Sequence, residues 1–199
     1  MEHIIIPFVS IDSTQSWAKK NLPIFDLKKL SCVSAESQSA GRGRNANRWI
    51  SPPGNIYTSF IFTVQNDHSI YPHLSQIFSL SCAKLLIKIG LLPSLKWPND
   101  LLVDNKKIAG ILTDIVGPAI ILGIGINVNV DKEQLLLIDQ QATSLFELTK
   151  KNWDCGELLL LLIEQIKEDI LLLKEQGLSP FREDYHRLLM GEISSKHLL

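Results

Sequence analysis

An α+β class, with a mixed sheet flanked by helices, is predicted by three features of this sequence. Short β-branched or alternating segments are joined by tight turns, and two longer segments carry an apolar stripe at helical spacing. Strands and helices do not alternate regularly, as a doubly wound fold would require.

The elements follow in order. Residues 3–9 read as a first strand, with Pro7 favouring an edge or an end. Asp12-Ser13-Thr14 offers N-cap residues for a short helix running to about Lys20. Residues 30–36 form a second strand. Residues 55–64 alternate most clearly, with Ile56, Thr58, Phe60 and Phe62 on one face and Tyr57, Ser59, Ile61 and Thr63 on the other. Pro72 opens a helix carrying Leu74, Ile77, Phe78, Ser81, Leu85 and Ile89, which stops at Gly90. Residues 95–103 and 107–116 read as a strand pair around the turn Asp104-Asn105, and Gly117-Pro118 leads into a strand over 119–130. Residues 131–152 are irregular except for a short helix at 144–148. Asp154 caps a long helix that Gly177 ends, and residues 180–190 are amphipathic.

At 199 residues, with 45% hydrophobic and 21% charged side chains, the chain fits one domain with an ordinary core. The 20 basic and 21 acidic residues leave a net charge of −1, which argues against a general nucleic-acid binder. Cys32, Cys82 and Cys155 are odd in number and widely spaced, so they read as free thiols of a reducing compartment. No signal peptide or membrane span is legible, and a cytoplasmic location is the default.

Against that neutral background, Gly41-Arg42-Gly43-Arg44-Asn45-Ala46-Asn47-Arg48-Trp49 concentrates charge in a segment with little to bury. Its glycines let backbone N–H groups approach a ligand, and its arginines are forked donors for carboxylate and phosphate. Taken alone, the segment also reads as a solvated basic loop. Gly41-x-Gly43-x-x-Ala46 formally matches a dinucleotide fingerprint, but Pro52-Pro53-Gly54 follows where a helix is required, so that reading is rejected. No P-loop, nucleophile elbow or HExxH is present, and the five histidines have no ligand spacing. What remains suits a reaction that places and neutralises anions, such as activation of a carboxylate by ATP.

Six segments occur in one order: Asp12-Ser13-Thr14; Gln38 through Arg44; Trp49-Ile50-Ser51-Pro52; Lys96-Trp97-Pro98-Asn99-Asp100; Lys107-Ile108-Ala109-Gly110-Ile111-Leu112; and Gly123-Ile124-Gly125-Ile126-Asn127. In this the chain resembles the catalytic domain of biotin protein ligases over residues 10 to 185. The resemblance implies a mixed, largely antiparallel sheet flanked by helices, and conversion of biotin and ATP to biotinyl-5′-AMP. Transfer to a lysine of a biotin carboxyl carrier protein would follow, with Mg2+ as cofactor and a monomer or homodimer as the acting form. It assigns Ser13, Thr14, Gln38, Gly41, Arg42, Gly43, Arg44, Lys107 and Gly110 to biotin, and Arg42, Arg44, Trp49, Asn99 and Asn127 to ATP. Arg44 and Lys107 would be catalytic, Asp100 would help position magnesium or the incoming amine, and the metal ligands are left open. Ser13 and Thr14 also read as plain N-caps, and Trp49 and Trp97 as packing residues.

The chain departs from the family pattern where Ala46-Asn47-Arg48 displaces the third arginine by one residue. It opens on a strand, so specific DNA binding is not expected. Residues 1–190 are expected to form the catalytic domain, and residues 191–199 a short tail in place of a C-terminal barrel. The alternatives are a lipoate or octanoate ligase or transferase of related fold, and a non-catalytic biotin-binding module.

Overall fold

The computed structural model describes residues 1–64, 68–138 and 140–191. The expected tail beyond residue 191 lies outside the described residues.

The centre is a seven-stranded sheet built from β1 (His3–Ile11), β2 (Leu30–Gln38), β3 (Ile56–Phe62), β4 (Ser94–Lys96), β5 (Asp100–Val103), β6 (Lys106–Val116) and β7 (Ala119–Ile126). The strand order is β1-β2-β3-β7-β6-β5-β4. β1 and β2 run parallel and every other neighbouring pair is antiparallel, so the mixed, largely antiparallel sheet is borne out. β1 lies at an edge, where Pro7 costs no ladder hydrogen bond to a further strand.

Helices cover the sheet unequally. α2 (Leu74–Lys88), α5 (Cys155–Gln176) and α6 (Ser179–Leu188) gather on one face and bury the main core with Phe60, Phe62, Leu122 and Ile124. α1 (Thr14–Lys20) lies on the other face, where Ala18 packs with Val33, Ile61 and Ile121. The alternation of β3 explains the division: Phe60 and Phe62 serve the large core, while Ile61 serves the small one. All seven β3 residues are buried, because the strand is paired on both sides and covered on both faces. The α1 face is otherwise open, and the cleft described below occupies it.

Among the described residues, a charged pair pins the main core. Lys84 Nζ of α2 lies 2.7 Å from Asp169 Oδ1 of α5, and Gln165 donates to Asp169 Oδ2 at 3.1 Å. Asp169 is 2% exposed, so its charge is tolerated there only because both oxygens are engaged.

Caps and turns follow local chemistry. The Ser13 hydroxyl accepts from the Ser16 N–H, and Asp154 Oδ1 accepts from the Gly156 and Glu157 N–H groups. Asp104 and Asn105 take positive φ in the β5–β6 hairpin, as the turn requires.

Several boundaries differ from the sequence reading. The expected strand 95–103 is broken at Trp97-Pro98-Asn99, where the Trp97–Pro98 peptide is cis and Pro98 has no N–H to give the ladder. The strand expected over 119–130 ends at Ile126, beyond which the Asn127 carbonyl accepts from the Leu145 N–H and the Val128 N–H donates to Asn55 Oδ1. The 72–90 helix starts at Leu74, after a 3-10 segment. The irregular stretch contains α3 (Lys132–Leu135), held by a reciprocal Asp131–Gln134 cap, as well as α4 (Leu145–Thr149). Among the described residues, no helix is long and apolar enough to cross a membrane.

Candidate functional site

Strand alternation decides which residues reach the open face. Thr113 of β6 points to α2, where its hydroxyl meets that of Ser75 at 3.1 Å, so Gly110, Leu112 and Asp114 point the other way. Across the ladder, Gly110 partners Gly125 and Leu112 partners Gly123, while Tyr57 and Ser59 of β3 partner Gly125 and Gly123 from the other side. Three glycines therefore leave a trough in the sheet, in which the side chains of Gln15 and Trp49 are seated, and a cavity of about 270 Å³ lies against them.

One end of this cleft is closed by buried polar groups at the start of α1. Ser13, Thr14 and Gln15 are each no more than 3% exposed. Gln38 Oε1, at the end of β2, accepts from the Thr14 N–H at 2.8 Å and the Thr14 hydroxyl at 3.2 Å, while its Nε2 donates to Ser51 Oγ. The Ser59 hydroxyl lies 2.9 Å from both Thr14 Oγ1 and Gln15 Oε1. Gln15 occupies the space above Gly123, where a Cβ would come within 2.7 Å of Gln15 Oε1.

The basic loop covers this floor as a small hairpin. Arg42 bridges Arg48, Trp49 N–H donates to Gly41 O at 2.9 Å, and Gly43 N–H donates to Asn47 O at 2.8 Å. At the tip, Asn45 adopts the left-handed conformation that asparagine tolerates. A Cβ on Gly41 would collide with the Trp49 carbonyl oxygen and lie 2.5 Å from Ser51 Oγ, so only glycine lets the two arms close.

The loop arginines are exposed and splayed. Arg42 Nη1 lies 3.4 Å from Asp114 Oδ2, and Arg44 Nη1 donates to Asn99 Oδ1 at 3.3 Å. Arg48 Nη2 donates to Ser39 O at 2.8 Å. Asn99 is itself fixed by donating to Ile111 O at 2.7 Å. Lys107 Nζ sits 2.7 Å from Asp100 Oδ1 and 5.3 Å from the centroid of the Trp49 ring.

Trp49 lines both this cleft and an adjoining hollow formed by Ile50, Asn127, Leu137, Ile138, Gln140 and Ala142. Lys107, Asn47 and Arg48 border both spaces too. The Trp49 Nε1 is buried and has no hydrogen-bond partner among the described residues, a donor left for a ligand or water to satisfy.

The structure thus brings Ser13, Thr14, Gln38, Arg42, Gly43, Arg44, Trp49, Asn99, Lys107 and Gly110 to one cleft. Gly41 lies in the outer groove of the loop, and Asn127 lies in the adjoining hollow, its Nδ2 donating to Thr143 O. Gln15, Ser59, Asn47 and Asp114 were not anticipated. Gln15 directly follows the Asp12-Ser13-Thr14 cap, and Ser59 is a small polar residue on an inward position of β3, which are the signals that point to them.

No cysteine lines the cleft. Burial pushes the Cys32 and Cys82 thiols up to about 12 and raises Cys155 as well, so none is an activated nucleophile. Among the described residues no three His, Cys, Asp or Glu side chains cluster as a metal cage, and Asp100 is the cleft's one carboxylate.

A polar closed end beside a cluster of cations suits the binding of an acid together with an anionic partner, and the sequence itself falls in the Biotin/lipoate A/B protein ligase family. The family's sequence model matches residues 8–131, and the chain belongs to that family. The resemblance carried by the six motifs is borne out. The bifunctional ligase/repressor BirA of Escherichia coli (strain K12) is 31% identical over 185 residues, covering 89% of this chain and 57% of that protein. The biotin–[acetyl-CoA-carboxylase] ligase of Paracoccus denitrificans is 34% identical over 127 residues, covering 58% of this chain and 51% of that one. The chain thus spans about half the length of these relatives. Among solved structures, the biotin protein ligase from Aquifex aeolicus in complex with biotin and ATP superposes with a TM-score of 0.81 at 32% identity, covering 94% of this chain and 78% of that one.

Proposed function

We propose that the cleft activates biotin with ATP and passes the biotinyl group to a lysine of a biotin carboxyl carrier protein. The observation that carries this reading is the position of Arg44 and Lys107: both line the cleft, and Lys107 stands where the cleft meets the second hollow at Trp49. An acid lying in the cleft and a nucleotide in the hollow would meet at Lys107. The relatives named as biotin ligases, and the Aquifex aeolicus complex with biotin and ATP, support the same reading.

The polar end, with Ser13, Thr14 and Gln38, would hold the ureido head of biotin, whose buried polar atoms need partners. The chain of methylenes would run along the cleft between that polar end and Trp49, with Gly110 letting the indole lie low on the sheet. Arg42, Gly43 and Arg44 would close over the carboxylate and phosphates, with Gly41 shaping the loop. A biotin carboxylate oxygen attacks the α-phosphorus and pyrophosphate leaves. Lys107 and Arg44 neutralise the approach of two anions and the charge that develops in the transition state. The carrier amine then attacks the acyl carbon, AMP leaves, and the amine's surplus proton passes to Asp100 or to water. Asn99 and Asn127 would face the nucleotide, with Trp49 between them. Magnesium would arrive with the nucleotide, using phosphate and water oxygens as most of its ligands and Asp100 as the nearest carboxylate. Three free cysteines and the need for ATP fit the cytoplasm.

Incubation with biotin, labelled ATP and pyrophosphatase tests the first half, and addition of a carrier domain tests the second. Biotinyl-adenylate and a biotinylated carrier lysine are the expected products. Retention of biotin without adenylate would point to a binding module, and turnover of lipoate in place of biotin would reassign the acyl group.

A further inference from the structure

Asp114 stands outside the lining of the cleft, yet it touches both the wall and the loop that enclose it. β6 alternation places Asp114 on the same face as Gly110 and Leu112. β5 runs beside only the Lys106 to Gly110 part of β6, so the strand edge at Asp114 is open toward the loop. One carboxylate oxygen, Oδ2, lies 3.3 Å from Gln15 Nε2 and 3.4 Å from Arg42 Nη1. Asp114 borders the groove on the outer side of the loop and is not among the residues that line the cleft.

The Gln15 contact has a directional consequence. A carboxylate only accepts hydrogen bonds, so it takes the amino end of the Gln15 amide, which also donates to Ile121 O at 2.9 Å. With both acceptors on the amino end, the carbonyl end is turned to Ser59, whose hydroxyl it receives at 2.9 Å. Arg42, through its guanidinium, brings the first arm of the loop hairpin to the same oxygen.

We propose that Asp114 is a positioning residue. Through Arg42 it holds the 41–49 loop over the floor, and beside Ile121 O it gives the Gln15 amide at the closed end a second acceptor, without itself meeting a ligand. This rests on the reading of the cleft as a biotin-activation site.

The test uses Asp114→Asn, which keeps shape and loses charge, and Asp114→Glu, which keeps charge. Two quantities are read: the rate of tryptic cleavage at the loop arginines in the free chain, and the split between KM for biotin and kcat for adenylate formation. The Asn variant is expected to be cleaved in the loop about three- to five-fold faster, the scale of one half-exposed ion pair. Its biotin KM rises by a similar factor, with kcat held within about twofold, and the Glu variant recovers part of both. Loop cleavage at the parent rate in Asp114→Asn overturns the proposal. So does a loss in both variants that merely follows a lowered melting temperature, since that would mark general destabilisation. A parent chain that makes no biotinyl-adenylate sinks the functional reading instead. The cleavage measurement needs no substrate and decides the anchoring role by itself.

Discussion

Gly110 and Gly125 face each other across β6 and β7, and the indole of Trp49 rests on both. A Cβ on Gly110 would approach the ring to 2.9 Å and one on Gly125 to 2.6 Å, closer than such atoms pack. The pair is the seat of the residue that divides the cleft from the second hollow, so its smallness sets the geometry of the proposed reaction.

Gly125→Ala is accordingly expected to lift the indole off the floor rather than to distort the sheet, because the loop is the softer partner. Adenylate formation should fall on the order of 10²-fold, as for a misplacement of about 1 Å at a reacting centre. Thermal melting should barely move. A variant that adenylates normally would show that Trp49 leaves the floor freely.

Lys107→Arg keeps the charge but brings a planar fork to a site where one ammonium sits 2.7 Å from Asp100 and stacks on Trp49. Adenylation should drop on the order of 10²-fold or more, and Arg44→Ala should cost a similar factor, the scale of losing one preorganised donor. Single-turnover rates at saturating biotin and ATP check both. Full activity of Lys107→Arg would reduce that residue to a remote electrostatic role.

Asp169→Ala tests whether stability and activity are separable. It strips the Lys84 ammonium and the Gln165 amide of their shared partner, on the side of the sheet away from the cleft. Denaturant unfolding should show a loss of about 3 kcal/mol, the low end for breaking a buried pair, because Lys84 retains some contact with water. Adenylation by the folded variant should match the parent. A loss below about 0.5 kcal/mol would mean that water replaces the carboxylate at no cost.

His73 introduces a dependence on acid. Burial, and then the charge of Arg182, hold its imidazole below the ordinary histidine value of 6.5, and its Nδ1 is buried without a partner among the described residues. With the folded value below the unfolded one, the unfolded chain binds more protons in the interval between them. The contribution is therefore fully present above 6.5 and is lost as pH falls toward the lowered value. Melting temperatures at pH 7.5 and 5 should differ more in the parent than in His73→Gln. Identical differences would remove His73 from the account.

Much of the architecture was legible because it is written locally. α5 carries its apolar stripe, its Asp154 cap and its Gly177 stop within one continuous segment, and the loop announces itself by charge and glycine alone. The break at Trp97-Pro98-Asn99 was hidden by the apolar residues on either side of it, and α3 by a polar cap in a stretch with no periodicity. The closed end of the cleft was only half legible. Ser13 and Thr14 carry a local signal, but Ser59, Gln15 and Asp114 meet through pairings between residues 44 to 106 positions apart. No short pattern encodes that register.

The loop also shapes how a ligand arrives. Arg42, Arg44, Arg48 and Lys107 gather around one opening with only Asp100 and Asp114 to offset them, in a chain whose net charge is −1. The potential is therefore a local pole on an otherwise balanced surface. It should speed the diffusional encounter of small polyanions with this mouth. Such steering acts over about 10 Å at 0.1 M salt, so association of ATP should slow as ionic strength rises, whereas its dissociation should change little.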